Sequence, residues 1–116
     1  RVSCRKRPGE SHCVRMAPYK EGTVGVDLSG LDSILAVVQR GSRWEAVVEP
    51  SIAMEELVDQ LLRLRLPDGT VLVPAVVPEF RRITVGGGIS GLAGESSSFL
   101  HGLTHDGCSA LEVVTG

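Results

Sequence analysis

Aromatic residues are scarce in this sequence of 116 residues and make up only 3% of it. A core with so few large rings has to be built from valine, leucine, isoleucine and alanine. The sequence also lacks an apolar run of about 20 residues, which excludes a transmembrane helix within it. The four aromatic residues are Tyr19, Trp44, Phe80 and Phe99.

Paired cysteines and a strong net charge are missing as well. The three cysteines form no CxxC pair, so a disulfide scaffold is not expected and a reducing compartment is favoured. The formal net charge of −2 argues against nucleic-acid binding by overall electrostatics. The localisation stays open, with the cytoplasm as one expectation.

Both ends of the sequence predict a fragment of a larger protein. The chain begins at Arg1 instead of methionine and stops just after the strand-like residues 110–115. The first 15 residues carry five basic side chains and one acid, a pattern that fits either a solvated surface or an anion site.

Local patterns predict a mixture of strands and helix. Residues 24–29 form a short β-type run, and β-branched residues 34–39 and 43–49 flank a glycine turn, which predicts a hairpin. Apolar residues recur every three or four positions over 52–66, which predicts an amphipathic helix capped by Ser51 and ended by Pro67.

The densest glycine tract follows the strand-like residues 83–85. Gly86, Gly88 and Gly91 have the GxGxxG spacing of a dinucleotide-binding fingerprint. That fingerprint needs a continuous helix afterwards, whereas residues 94–107 are rich in glycine and serine, which disfavour helix interiors. We therefore expect an ordered loop over 95–108, with glycine amides able to approach an anion closely. The simpler alternative is a glycine-rich turn between strands.

Other chemical motifs are incomplete. His101, His105, Asp106 and Cys108 have spacings that a metal could use, but a closed zinc site normally shows a second pair of ligands. The sequence Gly88-Ile89-Ser90-Gly91-Leu92 misses the last glycine of the GxSxG nucleophile motif. We predict neither a metal site nor a serine hydrolase.

Five segments of the chain together resemble a known family. They are residues 26–35, 48–62, 76–79, 83–97 and 102–114. They are similar to the p-cresol methylhydroxylase-type (PCMH-type) FAD-binding domain of the vanillyl-alcohol oxidase superfamily. Within residues 84–102 the motifs follow the order seen in the delta(24)-sterol reductase branch, which this stretch most resembles. They are Thr-Val-Gly-Gly, a single Gly, Glu-Ser-Ser and a final Gly.

This resemblance implies an α+β fold and a set of cofactor-binding residues. We expect a partial PCMH-type FAD-binding domain, with a small α/β lobe over residues 1–77 and the start of a second, mainly β lobe over 78–116. His12 matches the position at which some oxidases of the superfamily attach flavin covalently; non-covalent FAD is the expectation here. The residues assigned to FAD are Thr84, Val85, Gly86, Gly87, Gly88, Ile89, Ser90, Gly91, Gly94, Glu95, Ser96, Ser97, Gly102 and His12.

The implied function is hydride transfer through FAD in an oxidoreductase. In the reductase interpretation NADPH reduces FAD, which then reduces a C=C bond of a sterol-like substrate. In the oxidase interpretation an alcohol or hydroxy acid reduces FAD and oxygen re-oxidises it. A degenerate, non-catalytic flavin module and a structural domain without a ligand remain alternatives. The resemblance also implies, as the alternative to the cytoplasm, association with a membrane through a segment outside this chain. We expect the small-molecule substrate to be bound mainly outside this chain, which is not expected to be active alone, and we assign no catalytic residue.

The glycine tract also yields a stability expectation. Valine at Gly86 or Gly87 is predicted to weaken FAD binding far more than it lowers folding stability.

Overall fold

The computed structural model describes residues 1–5 and 18–115. Strand β1 (Val2–Arg5) pairs in parallel with β2 (Val24–Asp27), with Val2 opposite Val24 and Cys4 opposite Val26. A 3₁₀ turn, Pro18–Lys20, precedes β2. The predicted β-type run at 24–29 is thus confirmed, and its partner is the basic start of the chain.

The predicted hairpin is confirmed. Strands β3 (Ile34–Arg40) and β4 (Arg43–Val48) are antiparallel, with an irregularity in register between Ile34 and Ala36. Gly41 lies in the turn with a φ of 62°, a left-handed conformation that glycine adopts without the steric cost of a Cβ. The indole Nε1 of Trp44 donates to Asp68 Oδ2 at 2.8 Å and ties β4 to the turn at 67–70.

Helix α1 (Met54–Arg63) confirms the predicted amphipathic helix, although it ends three residues earlier than expected. The expectation that Ser51 caps it is wrong, because the N-cap is Ala53, which makes no side-chain cap. Backbone carbonyls replace the missing side chain: the amide of Met54 donates to Ile83 O at 2.9 Å and that of Glu55 to Arg81 O at 3.1 Å. A distant segment thus satisfies donors that an isolated helix leaves unpaired.

The main core lies where the hairpin, α1 and the segment 83–89 meet. Its buried members are Ile52, Met54, Leu57, Leu61 and Val85. Partly buried apolar residues pack against them, among them Ile34, Ala46, Val48, Ile83 and Ile89. As the sparse aromatic content predicts, this core contains only aliphatic side chains and methionine.

The second part of the chain is more helical than the sequence indicates. The glycine tract forms helix α2 (Val85–Ser90), and the expected loop over 95–108 contains helix α3 (Ser98–His101) and a 3₁₀ turn at Thr104–Gly107. The strand predicted over 110–115 is not formed, since no neighbouring strand among the described residues offers it a hydrogen-bonding edge.

The α+β character of the chain is confirmed. Its strands, however, all lie before residue 49, and the described residues 78–115 contain only one isolated β-bridge, at Thr84. The division into a first lobe over 1–77 and a second over 78–116 stays a prediction, and the described part of the second stretch contains short helices. None of the helices in the described part is long and apolar enough to cross a membrane.

Candidate functional site

The glycine helix α2 starts on the segment that leads into α1. Thr84 forms an antiparallel β-bridge with Ala53 and is the N-cap of α2. Three successive amides at the start of α2 have protein acceptors: Val85 N donates to Ile52 O at 3.0 Å, Gly86 N to Pro50 O at 2.8 Å and Gly87 N to Thr84 Oγ1 at 3.1 Å.

These bonds leave α2 without amides for an anion at its first turn, because Gly88 N also donates, to Thr84 O at 2.8 Å. The glycines of this turn have a packing role instead. A Cβ on Gly86 would lie 2.8 Å from Pro50 Cβ, a separation that real Cβ atoms do not adopt. Gly88 is buried, and a Cβ on it would lie 3.5 Å from Thr104 Cγ2.

The unpaired donors of the glycine tract lie further along the chain, in the turn formed by residues 91–97. The amides of Gly94 and Ser97 have no hydrogen-bond partner among the described residues. Two exposed serines lie close by in the sequence: Ser96, which precedes Ser97, and Ser90, which comes just before the turn. A Cβ on Gly94 would lie 3.0 Å from Leu103 Cδ2, so the backbone is closely packed there. Residues 91–97, called the glycine–serine turn below, therefore offer unpaired backbone donors.

Local hydrogen bonds fix the shape of the glycine–serine turn. The Glu95 amide donates to Ser98 Oγ and the Ser98 amide to Glu95 O, both at 2.8 Å, so the two residues cap one another. The Ser97 hydroxyl donates to Ala75 O at 3.2 Å and anchors the turn to a distant segment. Hydrogen bonds from Ser96, by its backbone amide first and its side chain second, hold the pKa of Glu95 below its ordinary value.

The 3₁₀ turn at 104–107 packs against the glycine–serine turn. Thr104 donates to Ala93 O twice, from its amide at 2.9 Å and from Oγ1 at 2.8 Å. Gly102 has a φ of 76°, and the neighbouring Leu103 amide donates to Asp106 Oδ2 at 2.7 Å. The two bonds from Thr104 place the 3₁₀ turn against Ala93 of the glycine–serine turn, while the assignment of Gly102 to FAD stays a prediction.

Within the described residues, His101, His105 and Cys108 do not assemble a metal centre. His105 Nε2 lies 3.5 Å from Asp106 Oδ1, while its Nδ1 is buried and has no partner within residues 1–5 and 18–115. No group of three or more histidine, cysteine, aspartate or glutamate side chains in those ranges is arranged to hold a metal ion. Desolvation raises the pKa of the half-buried Cys108 thiol.

A second feature was missed by the sequence interpretation: an open groove of about 390 Å³ beside the start of α1. Its lining residues are Glu55, Glu79, Phe80, Arg81 and Arg82. Glu55 Oε1 lies 2.8 Å from Arg82 Nη1 and Glu55 Oε2 lies 2.9 Å from Arg81 Nη2. The sequence signal was the Phe-Arg-Arg run opposite an acidic helix start, which becomes visible only once the two segments are known to meet.

The two guanidinium groups predict a pH-dependent contribution of Glu55 to stability. The hydrogen bond from Arg82 is the main reason why the pKa of Glu55 is lowered from its ordinary value of 4.5. Because folding lowers this pKa, the stabilisation is present above the ordinary value and is lost as pH falls through the lowered one. We expect Glu55→Gln to reduce the melting temperature at neutral pH and to have less effect in strong acid.

Thermal melts of wild type and Glu55→Gln across this pH range measure the effect, with Glu56→Gln as the control. Glu56 is adjacent and is 3.9 Å from Arg82 Nη1, so it should contribute less. A difference between wild type and Glu55→Gln that is constant with pH would contradict the ion-pair explanation.

The predicted site residues are distributed over two environments. The first group belongs to the start and body of α2: Thr84, Val85, Gly86, Gly87, Gly88, Ile89 and Ser90. The second group belongs to the glycine–serine turn: Gly91, Gly94, Glu95, Ser96 and Ser97. Gly102 lies beyond it, at the end of α3, where its amide donates to Ser98 O at 2.9 Å. His12 lies outside the described residues.

Comparison with known proteins gives one positive result. The family model described as FAD binding domain matches residues 2–116, which is nearly the whole chain. No curated protein and no solved structure matches the chain.

Proposed function

We propose, on the premise that this chain belongs to the FAD binding domain family, that its glycine–serine turn holds the diphosphate of FAD without a covalent bond. Membership in the family makes FAD the cofactor and flavin-dependent oxidoreduction the general class of chemistry. Bound FAD supplies hydride transfer through its flavin ring.

The observation that carries the proposal is the pair of unpaired amides at Gly94 and Ser97. Backbone donors can approach a diphosphate closely where side chains are small, and each bond to a charged oxygen stabilises the complex by about 1.5–3 kcal/mol. The residues present therefore fit the cofactor. Thr84 and residues 85–90 act in this proposal by positioning the turn, since their first amides already bind protein carbonyls or the Thr84 hydroxyl.

Glu95 has a distinct role in this arrangement. Its carboxylate accepts a hydrogen bond from the Ser96 amide, which withdraws that donor from any ligand. An anionic group bound to the turn would thus rely on the amides on either side, at Gly94 and Ser97. This requirement makes Ser97 the most informative residue to change.

We expect Ser97→Pro to weaken FAD binding about tenfold relative to Ser97→Ala. The φ of Ser97 is −73°, which proline itself adopts, so the substitution removes the amide hydrogen. Ser97 is also the third residue of the turn 95–98, where a proline ring disfavours the helical conformation of Ser96, so the comparison requires that circular dichroism and melting temperature match those of Ser97→Ala. A tenfold loss corresponds to about 1.4 kcal/mol, close to the value of one charge-assisted hydrogen bond. Flavin fluorescence titration of both variants measures it.

The alanine variant is the matched control, because both substitutions remove the hydroxyl that bonds Ala75 O. Melting temperatures establish that both variants fold. Equal FAD affinities in the two folded variants would show that the Ser97 amide does not bind the cofactor.

We propose in addition that the oxidoreductase is a reductase that uses NADPH to reduce a C=C bond of a sterol-like substrate. The support is the resemblance of the 84–102 segment to the delta(24)-sterol reductase branch. Anaerobic addition of NADPH should bleach the visible flavin absorption of the full protein. Bleaching by an alcohol or hydroxy acid, followed by recovery in oxygen, would favour the oxidase alternative instead.

Acid precipitation tests the non-covalent attachment and the cofactor itself. Release of flavin into the supernatant is expected, because our proposal uses no covalent link to His12. Flavin retained in the pellet would identify covalent attachment, and His12 would be the first residue to replace. A protein that takes up no added FAD would support the degenerate-module alternative.

A further inference from the structure

The glycine–serine turn contains a leucine in a backbone conformation that favours glycine. Leu92 has a φ of 52°, and it is the one non-glycine residue with a positive φ in the part of the chain that the structure describes. A left-handed backbone brings the Cβ of an ordinary residue too close to the following carbonyl oxygen, so this conformation is strained for leucine. Glycine has no Cβ and adopts it without that strain.

The end of helix α2 imposes this conformation on Leu92. The Ala93 amide donates to Gly88 O at 2.8 Å and the Leu92 amide to Ile89 O at 3.2 Å, which is the Schellman pattern of a helix end. This pattern requires a left-handed residue just after the C-cap, where glycine is the usual residue. The two bonds from Thr104 to Ala93 O hold the chain on the other side of Leu92. The backbone is therefore fixed on both sides of the strained residue.

The burial of Leu92 does not compensate for this strain. Leu92 is 62% exposed, so packing within the described part of the chain stabilises it little. Its amide is already bound to Ile89 O, so only its side chain is available to a ligand. A leucine that is both strained and exposed lowers the stability of the fold, and residues held under strain are concentrated at functional sites.

Leu92 lies close to the donors that the proposed function assigns to FAD. It is two residues from Gly94, and two residues of chain span at most about 7 Å. The carbonyl of Ala93, which lies between them, accepts both bonds from Thr104, so the backbone that joins Leu92 to Gly94 is held in place. An apolar side chain is thus kept at a fixed position beside an unpaired amide.

We propose that Leu92 is a cofactor-contact residue that increases the affinity for FAD at the expense of folding stability. Its side chain lies against the bound cofactor beside the diphosphate and excludes water from the amide of Gly94. Hydrogen bonds are stronger where water is excluded, and burial of the exposed leucine surface adds to the free energy of binding. The inference rests on the proposed function, because the ligand that covers Leu92 is the FAD held by the glycine–serine turn.

Two substitutions separate the strain from the side chain. Leu92→Ala removes the side chain beyond Cβ and keeps the strain, whereas Leu92→Gly removes both. In flavin fluorescence titrations we expect both variants to bind FAD about fivefold more weakly than the wild type. Without FAD we expect the melting temperature of Leu92→Gly to be about 4 °C above that of Leu92→Ala, because only glycine relieves the strain. The greater freedom of glycine in the unfolded chain reduces this gain without reversing it at a left-handed position.

Leu35→Ala is the matched control for the loss of side chain. Leu35 belongs to β3, is 63% exposed and lies outside the proposed site. Its truncation should change FAD affinity less than about twofold, because no cofactor contact is removed. Wild-type FAD affinity in Leu92→Ala would overturn the inference. A Leu92→Gly protein no more stable than Leu92→Ala would also overturn it, because Leu92 would then carry no strain.

Failure of this inference and failure of the proposed function give different results. If the wild type binds FAD and Ser97→Pro binds it more weakly, while Leu92→Ala binds it as the wild type does, only the inference is wrong. If the wild type takes up no FAD, both are wrong, and a higher melting temperature of Leu92→Gly would report relief of strain alone.

Discussion

Ile52→Ala is expected to lower the free energy of unfolding by about 3 kcal/mol, within the roughly 2–5 kcal/mol typical of removing a large aliphatic side chain from a core. Ile52 is 0% exposed and lies in the cluster that joins α1 to α2. The core has few members, so neighbouring side chains have little freedom to fill the space left behind. Urea unfolding followed by far-ultraviolet circular dichroism measures the loss.

Leu62→Ala provides the comparison for Ile52→Ala. Leu62 belongs to α1 but is 45% exposed, so its truncation removes less apolar contact and should reduce stability by less than about 1 kcal/mol. Equal losses in the two variants would contradict the position of the core. If Ile52→Ala does not fold at all, the expected ranking of the two stability losses is still confirmed, provided that Leu62→Ala remains folded.

Gly86→Val is expected to lower stability by about 3 kcal/mol, the upper end of the usual cost of overpacking. A Cβ at this position would lie 2.8 Å from Pro50 Cβ and 3.1 Å from Pro50 O, so the start of α2 would have to move. That movement also breaks the 2.8 Å hydrogen bond between Gly86 N and Pro50 O. Thermal and urea unfolding of the variant measure the loss.

This result would reverse the expectation from the sequence, in which Gly86 mainly served cofactor binding. The control is Gly107→Val, because a Cβ on Gly107 would meet no atom within 4 Å and should cost far less stability. A Gly86→Val protein with wild-type stability and no FAD affinity would restore the sequence interpretation.

Elements that depend on a local repeat were predictable from the sequence. The β3–β4 hairpin follows from two β-branched runs around Gly41, and α1 follows from apolar spacing over 52–66. The start of α1 was not predictable, because its amides are satisfied by carbonyls of residues 81 and 83, far along the chain. Ser51 had the right chemistry for a cap, yet a tertiary contact took that role.

Helix α2 forms against the intrinsic propensity of its residues. Three consecutive glycines oppose a helix by about 1 kcal/mol each. Val85 is buried and Ile89 packs against the same cluster, while Thr84 caps the first turn, so packing and capping outweigh propensity. The Thr84 cap was a readable signal, since threonine is a preferred N-cap residue.

The assignment of the glycine and Glu-Ser-Ser residues to FAD stays a prediction, and the structure adds only how their backbone is arranged. Gly94 packs near Leu103 and Ser98, and Thr104 donates to Ala93 O. Which amides remain unpaired depends on acceptors at Pro50 and Ile52, which belong to a different part of the sequence. The groove at Arg81 was likewise not predictable, because its lining residues Glu55 and 79–82 are far apart in the sequence.

The bridge between Ala53 and Thr84 also determines how this part of the chain folds. Helices of ten and six residues are too short to persist alone. The first amides of each helix donate to carbonyls of the segment that leads into the other helix. Neither can form until the intervening segment has closed, so both appear and open as one cooperative unit. The groove is lined by Glu55 of α1 and by residues 79–82, which lead into α2, and the glycine–serine turn follows α2. Local opening would therefore dismantle both surfaces together, and a ligand that protects one from opening protects the other.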